Sequence, residues 1–331
     1  MKDNEFKAYV VNEEENHYIG RITRRTIDDL PKGDLLIKVY YSSLNFKDAL
    51  SASGNKGVTK NYPHTPGIDA AGVVVSSENK CFSIEDKVIV TSYDLGMNTD
   101  GGFGEYIQVP SEWAIKLPEN LSMKESMILG TAGLTAGMSV LRLTQFVKPE
   151  DGSILVSGAT GGVGTISIAI LKKLGYSVTA ITGKETEKKY LMDLGAKDII
   201  LRKDFESLDK KPLLKPVYAG AIDTVGGIIL ENMIKSIKPN GAVTCCGNAA
   251  SSKLELTVFP FILRGITLIG IDSQNLSMNN RENVWKKLAS DWKLDTLLDS
   301  YDEISLDDLD QKISLMLQGK LKGRTIINIS D

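Results

Sequence analysis

The segment SGATGGVG, residues 157–164, has the glycine spacing of a phosphate-binding turn. The pattern Ala159-x-Gly161-x-x-Gly164 is a variant of the dinucleotide fingerprint. Its middle glycine lets backbone approach a pyrophosphate, and its last glycine allows close packing of helix on strand. The segment follows an apolar strand pattern and opens an amphipathic helix pattern, which is the context that the fingerprint requires. The structural alternative is a tight turn without a ligand. We therefore predict dinucleotide binding through Gly161, Gly162, Val163 and Gly164.

The residues after the next predicted strand indicate which dinucleotide binds. An NAD-preferring site carries Asp or Glu here for the ribose 2′-hydroxyl, but this chain has Thr182, Gly183 and Lys184. A hydroxyl and an ammonium group bind a 2′-phosphate, which a carboxylate would repel. Arg202, after the third predicted strand, can add a second positive charge. The pattern favours NADPH over NADH, and the alternative for both cations is a solvated surface.

Composition limits the class of protein. The chain has 331 residues and a formal net charge of −3, which suits two domains and gives no bulk attraction to nucleic acid or a membrane surface. The N-terminus lacks the apolar core of a signal peptide, and the longest apolar runs are short of a membrane span. An odd number of cysteines gives no disulfide framework. We expect a cytoplasmic protein with buried, reduced thiols at Cys81, Cys245 and Cys246.

Two kinds of element must position these residues. The first 120 or so residues read as short β-strands separated by Gly, Pro and Asn clusters, as in a β-barrel-like domain. A helix is predicted near residue 121, with Ser122 as its N-cap and Glu125 three residues later. From residue 151, short apolar strands alternate with helices, which predicts a parallel sheet covered on both faces. The tail from about residue 300 is strand-like and can rejoin the first domain.

Eight motifs are spread along the chain: SLNFKDAL, PGIDAAG, GTAGLTAG, TGK, AGAIDTVGG, PFILRG, LIGIDS and KGRTIINI. Together they resemble the medium-chain dehydrogenase/reductase superfamily. Within it, they resemble the YhdH/YhfP type, a group named for acryloyl-CoA reductase and quinone oxidoreductase. The resemblance implies an α/β fold, with a Rossmann doubly wound parallel sheet domain at 122–299 and a GroES-like β-barrel domain at 1–121 and 300–331.

The same resemblance implies further cofactor contacts, because this family places the cofactor between its two domains. Asn248 should pass near the nicotinamide ribose, and Ser273 is a candidate for the carboxamide end. Phe46 stands where relatives have Tyr and is expected to pack against the nicotinamide.

The resemblance also implies three positions for a catalytic zinc, which in zinc members are two Cys and one His. Here they are Asn45, Ile68 and Thr131. Isoleucine cannot ligate, and zinc needs three or four N, S or O ligands in close geometry. The segment SYDLGMNTDGGFGEY also lacks the cysteines of a structural zinc loop. We predict that the protein holds no metal.

Loss of the metal limits the chemistry, because alcohol oxidation in this superfamily uses zinc as a Lewis acid. Reduction of an activated double bond is accessible without it, since the substrate's own carbonyl delocalises the charge. The resemblance therefore implies an NADPH-dependent, zinc-independent reductase of an α,β-unsaturated thioester of the acryloyl-CoA type. An NADPH:quinone oxidoreductase and a non-catalytic NADPH-binding protein remain as alternatives.

The catalytic groups are less clearly marked than the cofactor site. Asn45 can hydrogen-bond a developing enolate through its amide N–H, or it can be a turn or cap residue. Asp48 and Asp69 read as structural remnants of a polar network, and His64 reads as a surface histidine. The proton can come from water. Three lysines near SLNFKDAL could meet the phosphates of CoA, although a solvated loop is the default: Lys47, Lys56 and Lys60.

The late apolar strand ITLIGID is the candidate for association between subunits. In this superfamily such an edge pairs with its copy in a second subunit and extends the sheet. We expect a homodimer whose other partner is a small-molecule substrate, either an enoyl-CoA or a quinone.

Overall fold

The computed structural model describes residues 4–15, 17–294 and 300–330. Its strands are β1 Glu5–Glu14, β2 His17–Thr26, β3 Leu35–Ser43, β4 Asp69–Ser77, β5 Lys87–Thr91, β6 Tyr106–Val109, β7 Ala114–Lys116, β8 Ile154–Val156, β9 Val178–Thr182, β10 Asp198–Leu201, β11 Tyr218–Asp223, β12 Ile237–Cys245, β13 Thr267–Gly270, β14 Tyr301–Ile304 and β15 Arg324–Asn328. Its α-helices are α1 Phe46–Ala52, α2 Met123–Leu143, α3 Gly162–Lys173, α4 Lys188–Leu194, α5 Arg202–Glu206, α6 Gly227–Ser236, α7 Phe259–Arg264, α8 Met278–Leu288 and α9 Leu309–Leu317.

One compact unit comprises residues 1–131 and 274–331. Its main sheet runs in the order β14-β15-β3-β4-β5-β7, with β6 also paired to β3, and β1 and β2 form a separate hairpin. Alternate side chains are buried in the first half of β3, at Leu35, Ile37 and Val39, as the period of a strand requires for a sheet with one core face. The C-terminal strand β15 pairs antiparallel with β3. This β-rich unit is therefore discontinuous in sequence, as the strand-like tail predicts.

The second compact unit comprises residues 132–273 and contains the predicted parallel sheet. Its strands lie in the order β10-β9-β8-β11-β12-β13, and each neighbouring pair is parallel. Every residue of β8 and β9 is buried, as expected for strands covered on both faces. The strand order reverses between β8 and β11, and ligands of open α/β sheets bind at the carboxyl ends of the strands at such a point. The doubly wound fold is confirmed.

Helix α2 begins as predicted and contains a break. The Ser122 hydroxyl accepts the Glu125 backbone N–H at 3.1 Å, and the Glu125 carboxylate accepts the Ser122 N–H at 2.7 Å, so the expected capping box is present. At Gly130 the backbone leaves helical geometry, with φ 52° and ψ −153°. By length and composition α2 could span a membrane, so the expectation that no stretch reaches span length is wrong here. In the most apolar 18-residue window, 78% of the residues are buried, as in a core helix.

The compact units divide the chain at 131/132 and 273/274. They therefore place α8 with the β-rich unit, where buried Arg281 donates to the carbonyl oxygen of Thr91 at 2.7 Å. The bounds expected from sequence for the GroES-like and Rossmann domains, at 121/122 and 299/300, stay predictions. Residue 299 itself lies outside the described residues.

The cysteines differ from one another in exposure. All three are free, Cys81 is exposed, and Cys245 and Cys246 are partly buried. The expectation of a buried thiol is therefore wrong at Cys81, which lies in a surface turn. Burial raises the pKa of the Cys246 thiol to about 12, with a smaller contribution from the nearby Asp223 carboxylate.

Candidate functional site

Residues 157–164, here called the glycine turn, comprise the loop that follows β8 and the first three residues of α3. Gly158 has φ 56°, in the left-handed region that glycine occupies without strain. A Cβ atom at position 164 would lie 2.4 Å from the Gly158 carbonyl oxygen. The helix therefore packs directly on the turn, which is the role predicted for the last glycine of the motif.

The start of α3 presents backbone donors to the space above the turn. The Thr165 N–H donates to the Gly161 carbonyl oxygen at 2.9 Å and closes the first helical turn. The three preceding N–H groups, of Gly162, Val163 and Gly164, have no carbonyl partner within the helix. A Cβ at Gly161 would meet only the Gly158 oxygen, at 3.3 Å, among the described atoms. A phosphate group can therefore approach this backbone closely, at the positive end of the helix dipole.

The residues predicted to read the 2′-phosphate lie together. Strands β9 and β10 are parallel neighbours with Thr182 opposite Leu201, so Gly183 and Arg202 follow adjacent strand ends. A Cβ at Gly183 would lie 3.5 Å from the Arg202 guanidinium carbon. The Thr182 hydroxyl accepts the Lys184 backbone N–H at 3.0 Å, which fixes the turn. A hydroxyl and two cationic side chains at this corner suit a phosphate monoester.

The other predicted cofactor residues occupy different surroundings. Asn248 is exposed and lines a groove of about 690 Å³ at the carboxyl ends of β11, β12 and β13. The Ser273 hydroxyl accepts a hydrogen bond from Thr135 Oγ1 at 2.9 Å. Phe46 is the first residue of α1 in the β-rich unit and is 42% exposed. Neither the groove nor these contacts tests a cofactor role, so all three residues stay predictions.

A buried polar cluster lies in the β-rich unit around Asp69, at the start of β4. Asp69 is fully buried. Its carboxylate accepts the Ser43 hydroxyl at 2.6 Å, the Asn45 side-chain amide at 2.8 Å and the Thr131 hydroxyl at 2.6 Å, and it also accepts the Thr131 N–H. The break at Gly130 makes the last contact available, because it releases the Thr131 N–H from the preceding helical turn. We call Ser43, Asn45, Asp69, Thr131 and Arg324 the Asp69 cluster.

Arg324, from β15, supplies the cation of the cluster. Its Nη2 donates to Ser43 Oγ at 2.7 Å and lies 3.9 Å from Asp69 Oδ2, while its Nη1 donates to Asn45 Oδ1 at 3.1 Å. Its Nε donates to the Ile128 carbonyl oxygen at 2.9 Å. A buried charge is tolerated only when it is paired and hydrogen-bonded, and Arg324 meets both conditions.

Asp48 is a second buried carboxyl group beside the cluster. It accepts the backbone N–H groups of Asn45 at 2.7 Å and Ile68 at 2.8 Å. Burial, with a smaller contribution from the charge of Asp69, raises the pKa of Asp48 to about 7. The N–H donors partly offset that rise because they favour the ionised form.

Asn45 occupies the N-cap position of α1, one of the two roles that the sequence left open. One amide hydrogen is donated to Asp69 at 2.8 Å. The other is shared between the carbonyl and hydroxyl oxygens of Ser43 at 3.2 and 3.4 Å, which are long contacts. The first hydrogen is therefore firmly held, and the second is held more weakly.

The donor set around Asp69 does not fit zinc. Of the three positions that ligate zinc in metal-dependent relatives, Ile68 offers only alkyl carbon. Asn45 and Thr131 are both hydrogen-bonded to the Asp69 carboxylate. Within residues 4–15, 17–294 and 300–330, no group of three or more His, Cys, Asp or Glu side chains is placed to hold a metal ion.

His64 is buried, so its assignment to the surface is wrong. Its backbone pairs with Val11, in both directions, at 2.8 and 3.0 Å, and this bridge draws the Pro-flanked loop into the domain. Its Nδ1 lies 3.8 Å from the Asp100 carboxylate. Desolvation lowers the pKa of the imidazole.

Of the three lysines near SLNFKDAL, Lys56 forms an ion pair within the β-rich unit. Its Nζ lies 2.8 Å from a carboxylate oxygen of Glu13.

Sequence reasoning missed three residues of this site: Ser43, Ser92 and Arg324. The KGRTIINI motif contains Arg324, but only the pairing of β15 with β3 brings it to Asp69. Ser92 follows β5 with φ 62°, and its hydroxyl lies 2.8 Å from Thr131 Oγ1. A non-glycine residue in the left-handed region carries backbone strain that the surrounding contacts must hold. Nothing in the local sequence marks it.

Comparison with protein families agrees with this architecture. Residues 31–119 match the alcohol dehydrogenase GroES-like domain, and residues 162–291 match the zinc-binding dehydrogenase family. The first match confirms the GroES-like assignment of the β-rich domain, and the second covers most of the doubly wound sheet.

Individual relatives are similar over nearly the whole chain. Bacillus subtilis YhfP, whose name assigns it provisionally to the quinone oxidoreductases, is 45% identical over 91% of this chain and 92% of its own. Its crystal structure with NAD bound has a TM-score of 0.95 and covers 99% of this chain and 100% of that one. Acrylyl-CoA reductase AcuI of Ruegeria pomeroyi is 36% identical over 98% of this chain and 99% of its own.

A structure with a phosphorylated dinucleotide is equally similar. Escherichia coli YhdH with bound NADPH is 36% identical, has a TM-score of 0.95, and covers 98% of this chain and 100% of that one. The chain therefore belongs to the medium-chain dehydrogenase/reductase family, as an oxidoreductase of the YhdH and YhfP type.

Proposed function

We propose that the protein is an NADPH-dependent, zinc-independent reductase that adds hydride to the activated double bond of an α,β-unsaturated thioester of the acryloyl-CoA type. The observation that carries the proposal is the Asp69 cluster. At the three positions expected for zinc ligands, its members Asn45 and Thr131 are hydrogen-bonded to Asp69, and the neighbouring Ile68 offers only alkyl carbon. The near full-length similarity to an acrylyl-CoA reductase supports the thioester as substrate.

In this proposal the glycine turn receives the pyrophosphate through the N–H groups of residues 162–164. Thr182, Gly183, Lys184 and Arg202 receive the 2′-phosphate. Two relatives were crystallised with different dinucleotides, YhdH with NADPH and YhfP with NAD. The basic corner beside Gly183 supports NADPH for this chain. Phe46, Asn248 and Ser273 are proposed to contact the nicotinamide end.

When bound, NADPH supplies a hydride to the β-carbon of the substrate. The resulting negative charge is delocalised onto the thioester oxygen, and a hydrogen-bond donor there lowers the barrier. We assign this role to Asn45, whose second amide hydrogen is only weakly held by Ser43. Arg324 and Asp69 fix the side chain of Asn45 from either end, through Oδ1 and Nδ2. Water supplies the proton to the α-carbon.

A quinone is the second candidate substrate. It is favoured by the higher identity to YhfP, 45% against 36% for AcuI. The same residues serve this reaction, because the electron-accepting group is again conjugated to a carbonyl oxygen.

We also propose that the protein is a cytoplasmic homodimer joined through β13, which lies at the edge of the parallel sheet. An edge strand presents free N–H and C=O groups to a second copy. Helix α7 and the residue before it add apolar surface in the preceding segment of chain. Val258, Ile262 and Leu263 are 62%, 68% and 63% exposed. A monomer mass by light scattering at micromolar concentration would contradict the dimer.

The experiment that tests the reaction follows NADPH absorbance with acryloyl-CoA or a small benzoquinone as acceptor, each with a metal chelator present. A much higher kcat/KM for acryloyl-CoA supports the thioester, and a preference for benzoquinone replaces it with the quinone. NADPH binding without turnover of either acceptor leaves the non-catalytic alternative. Loss of activity with chelator contradicts zinc independence.

A further inference from the structure

Asp223, the last residue of β11, is a fully buried carboxylate that the proposed reaction does not use. Its Oδ1 accepts the Ser157 hydroxyl at 2.6 Å and the Val225 N–H at 3.2 Å, and its Oδ2 accepts the Gly226 N–H at 2.8 Å. Burial raises the pKa of Asp223, while these three donors act in the opposite direction. The carboxylate thus fixes the turn that follows β11, and through Ser157 it is also hydrogen-bonded to the end of the neighbouring strand β8.

Ser157 is the residue through which Asp223 reaches the glycine turn. Its hydroxyl, which donates to Asp223, also accepts the Thr224 N–H at 2.9 Å. The Thr224 hydroxyl in turn donates to the Ser157 carbonyl oxygen at 3.1 Å. Ser157 immediately precedes Gly158. The ends of β8 and β11 are therefore joined by reciprocal side-chain hydrogen bonds as well as by the sheet.

The end of β12 is fixed to the same point. The Cys246 N–H donates to the Asp223 carbonyl oxygen at 3.0 Å. A Cβ at Gly247 would lie 2.1 Å from the Thr224 carbonyl oxygen, and a Cβ at Gly158 would lie 2.1 Å from the Thr224 hydroxyl. Backbone from three strand ends thus meets around residues 223 and 224 without room for an extra methyl group.

We propose that Asp223 is a positioning residue for the dinucleotide. Acting through Ser157, it holds the glycine turn in register with the turns at 224–226 and 246–248, so that one extended cofactor meets all three at once. This inference rests on the proposed function, because it requires that residues 161–164 bind a pyrophosphate.

The test compares two ligands by calorimetry on the full chain: NADPH, which spans the three turns, and 2′-AMP, which carries the 2′-phosphate but no pyrophosphate. Asp223→Asn replaces an acceptor by a donor that faces N–H groups, and Ser157→Ala removes the link itself. For Asp223→Asn we expect NADPH binding to weaken by about tenfold or more, since hydrogen bonds to a buried charge are lost. Ser157→Ala should weaken it several-fold, and 2′-AMP should change by less than about twofold in both variants.

Ser167→Ala is the matched control. Ser167 is a buried serine of α3 in the same unit, and its hydroxyl makes no hydrogen bond with the described residues. Its removal should leave both affinities unchanged. If the Asp223 and Ser157 variants weaken both ligands equally, or neither, Asp223 has only a structural role and the inference is overturned. If the parent protein does not bind NADPH, the proposed function itself fails. If Asp223→Asn does not fold, Ser157→Ala decides alone.

Discussion

The glycine turn and the Asp69 cluster both accommodate charge, but they do so with different atoms. The glycine turn uses backbone N–H groups of consecutive residues, and a Cβ atom at Gly158 or Gly164 would lie within 2.5 Å of a neighbouring oxygen. The Asp69 cluster uses side chains from β3, β4, α2, β15 and the N-cap of α1. Two of its members that are hydrogen-bonded to each other, Ser43 and Arg324, are 281 residues apart in sequence. One site is therefore specified by local backbone geometry, and the other by the pairing of distant strands.

This difference predicts opposite sensitivities. At the glycines of the glycine turn the damaging change is an added methyl group, since donors that belong to the backbone cannot be deleted by substitution. In the Asp69 cluster the damaging change is a deleted group, since its partners stay buried and lose their hydrogen bonds.

The largest effect is expected from Arg324→Leu. It leaves the fully buried Asp69 carboxylate without its cation, which should lower the free energy of unfolding by about 3–5 kcal/mol. Denaturation in urea measures the change. Arg21→Leu, which breaks the solvent-exposed pair with Glu14, is the matched control and should leave stability nearly unchanged. Equal effects of the two substitutions would mean that the cluster does not depend on its ion pair.

The pH dependence of the unfolding free energy should also distinguish the surroundings of the Asp69 cluster from the glycine turn. The pKa of Asp48 is raised to about 7 in the folded protein, above its value of about 3.9 in the unfolded chain. The folded state therefore holds this proton more tightly. The resulting stability is fully present below about pH 4 and is lost as the pH rises through about 7, by up to ~1.4 kcal/mol per unit.

Asp48→Asn should remove this component. The unfolding free energy of parent and variant should be measured from pH 4.5 to 8. The stability of the parent relative to the variant should decrease as the pH rises through about 7. A difference that is independent of pH would show that Asp48 is ionised throughout. The glycine turn contains no titratable side chain and should contribute nothing to the profile.

Two alanine substitutions probe the glycine turn. At Gly164 the new Cβ meets backbone at 2.4 Å, whereas at Gly161 it meets the Gly158 oxygen at 3.3 Å. Gly164→Ala should lower the free energy of unfolding by about 1–3 kcal/mol, and Gly161→Ala by less. Gly161→Ala should nonetheless weaken NADPH binding, because its methyl group occupies the space left for phosphate. Thermal unfolding and fluorescence titration measure the two effects, and an unchanged Kd in Gly161→Ala would contradict the assignment.

The smallest effect is expected at Lys184, whose side chain is proposed to bind the 2′-phosphate while the glycine turn binds the pyrophosphate. Lys184→Arg keeps the charge and adds a planar fork that can bind a phosphate through two hydrogen bonds. NADPH affinity should rise by about threefold, while NADH affinity, measured as the control, stays the same. Equal gains for both nucleotides would indicate that residue 184 does not face the 2′-phosphate.

The glycine turn was predictable because strand, turn and helix are adjacent in sequence, and the position of each glycine is a local steric requirement. The basic corner at Gly183 followed for the same reason, since parallel neighbours β9 and β10 end side by side. The capping box at Ser122 is likewise a rule about residues three apart. In each case the sequence interval that decides the geometry is shorter than one βαβ unit.

The Asp69 cluster could be predicted only in part. The resemblance pointed to Asn45, Asp48 and Asp69, but Arg324 enters through the register of β15 on β3, which no local pattern encodes. The burial of His64 depends in the same way on its bridge to Val11. The break at Gly130 was missed because a glycine within an apolar helix pattern does not by itself indicate a change of φ.

The antiparallel pairing of β15 with β3 also affects synthesis of the chain. Ser43, Asp48, Asp69 and Thr131 leave the ribosome long before Arg324, which follows Thr131 by roughly 190 residues. At about 5–20 residues per second this interval lasts about 10–40 s. During that time the nascent β-rich domain holds two acidic groups with no Arg324 to pair them. Completion of that domain must therefore wait for β15, and a chain that stops before β15 would leave the sheet without the strand that pairs with β3.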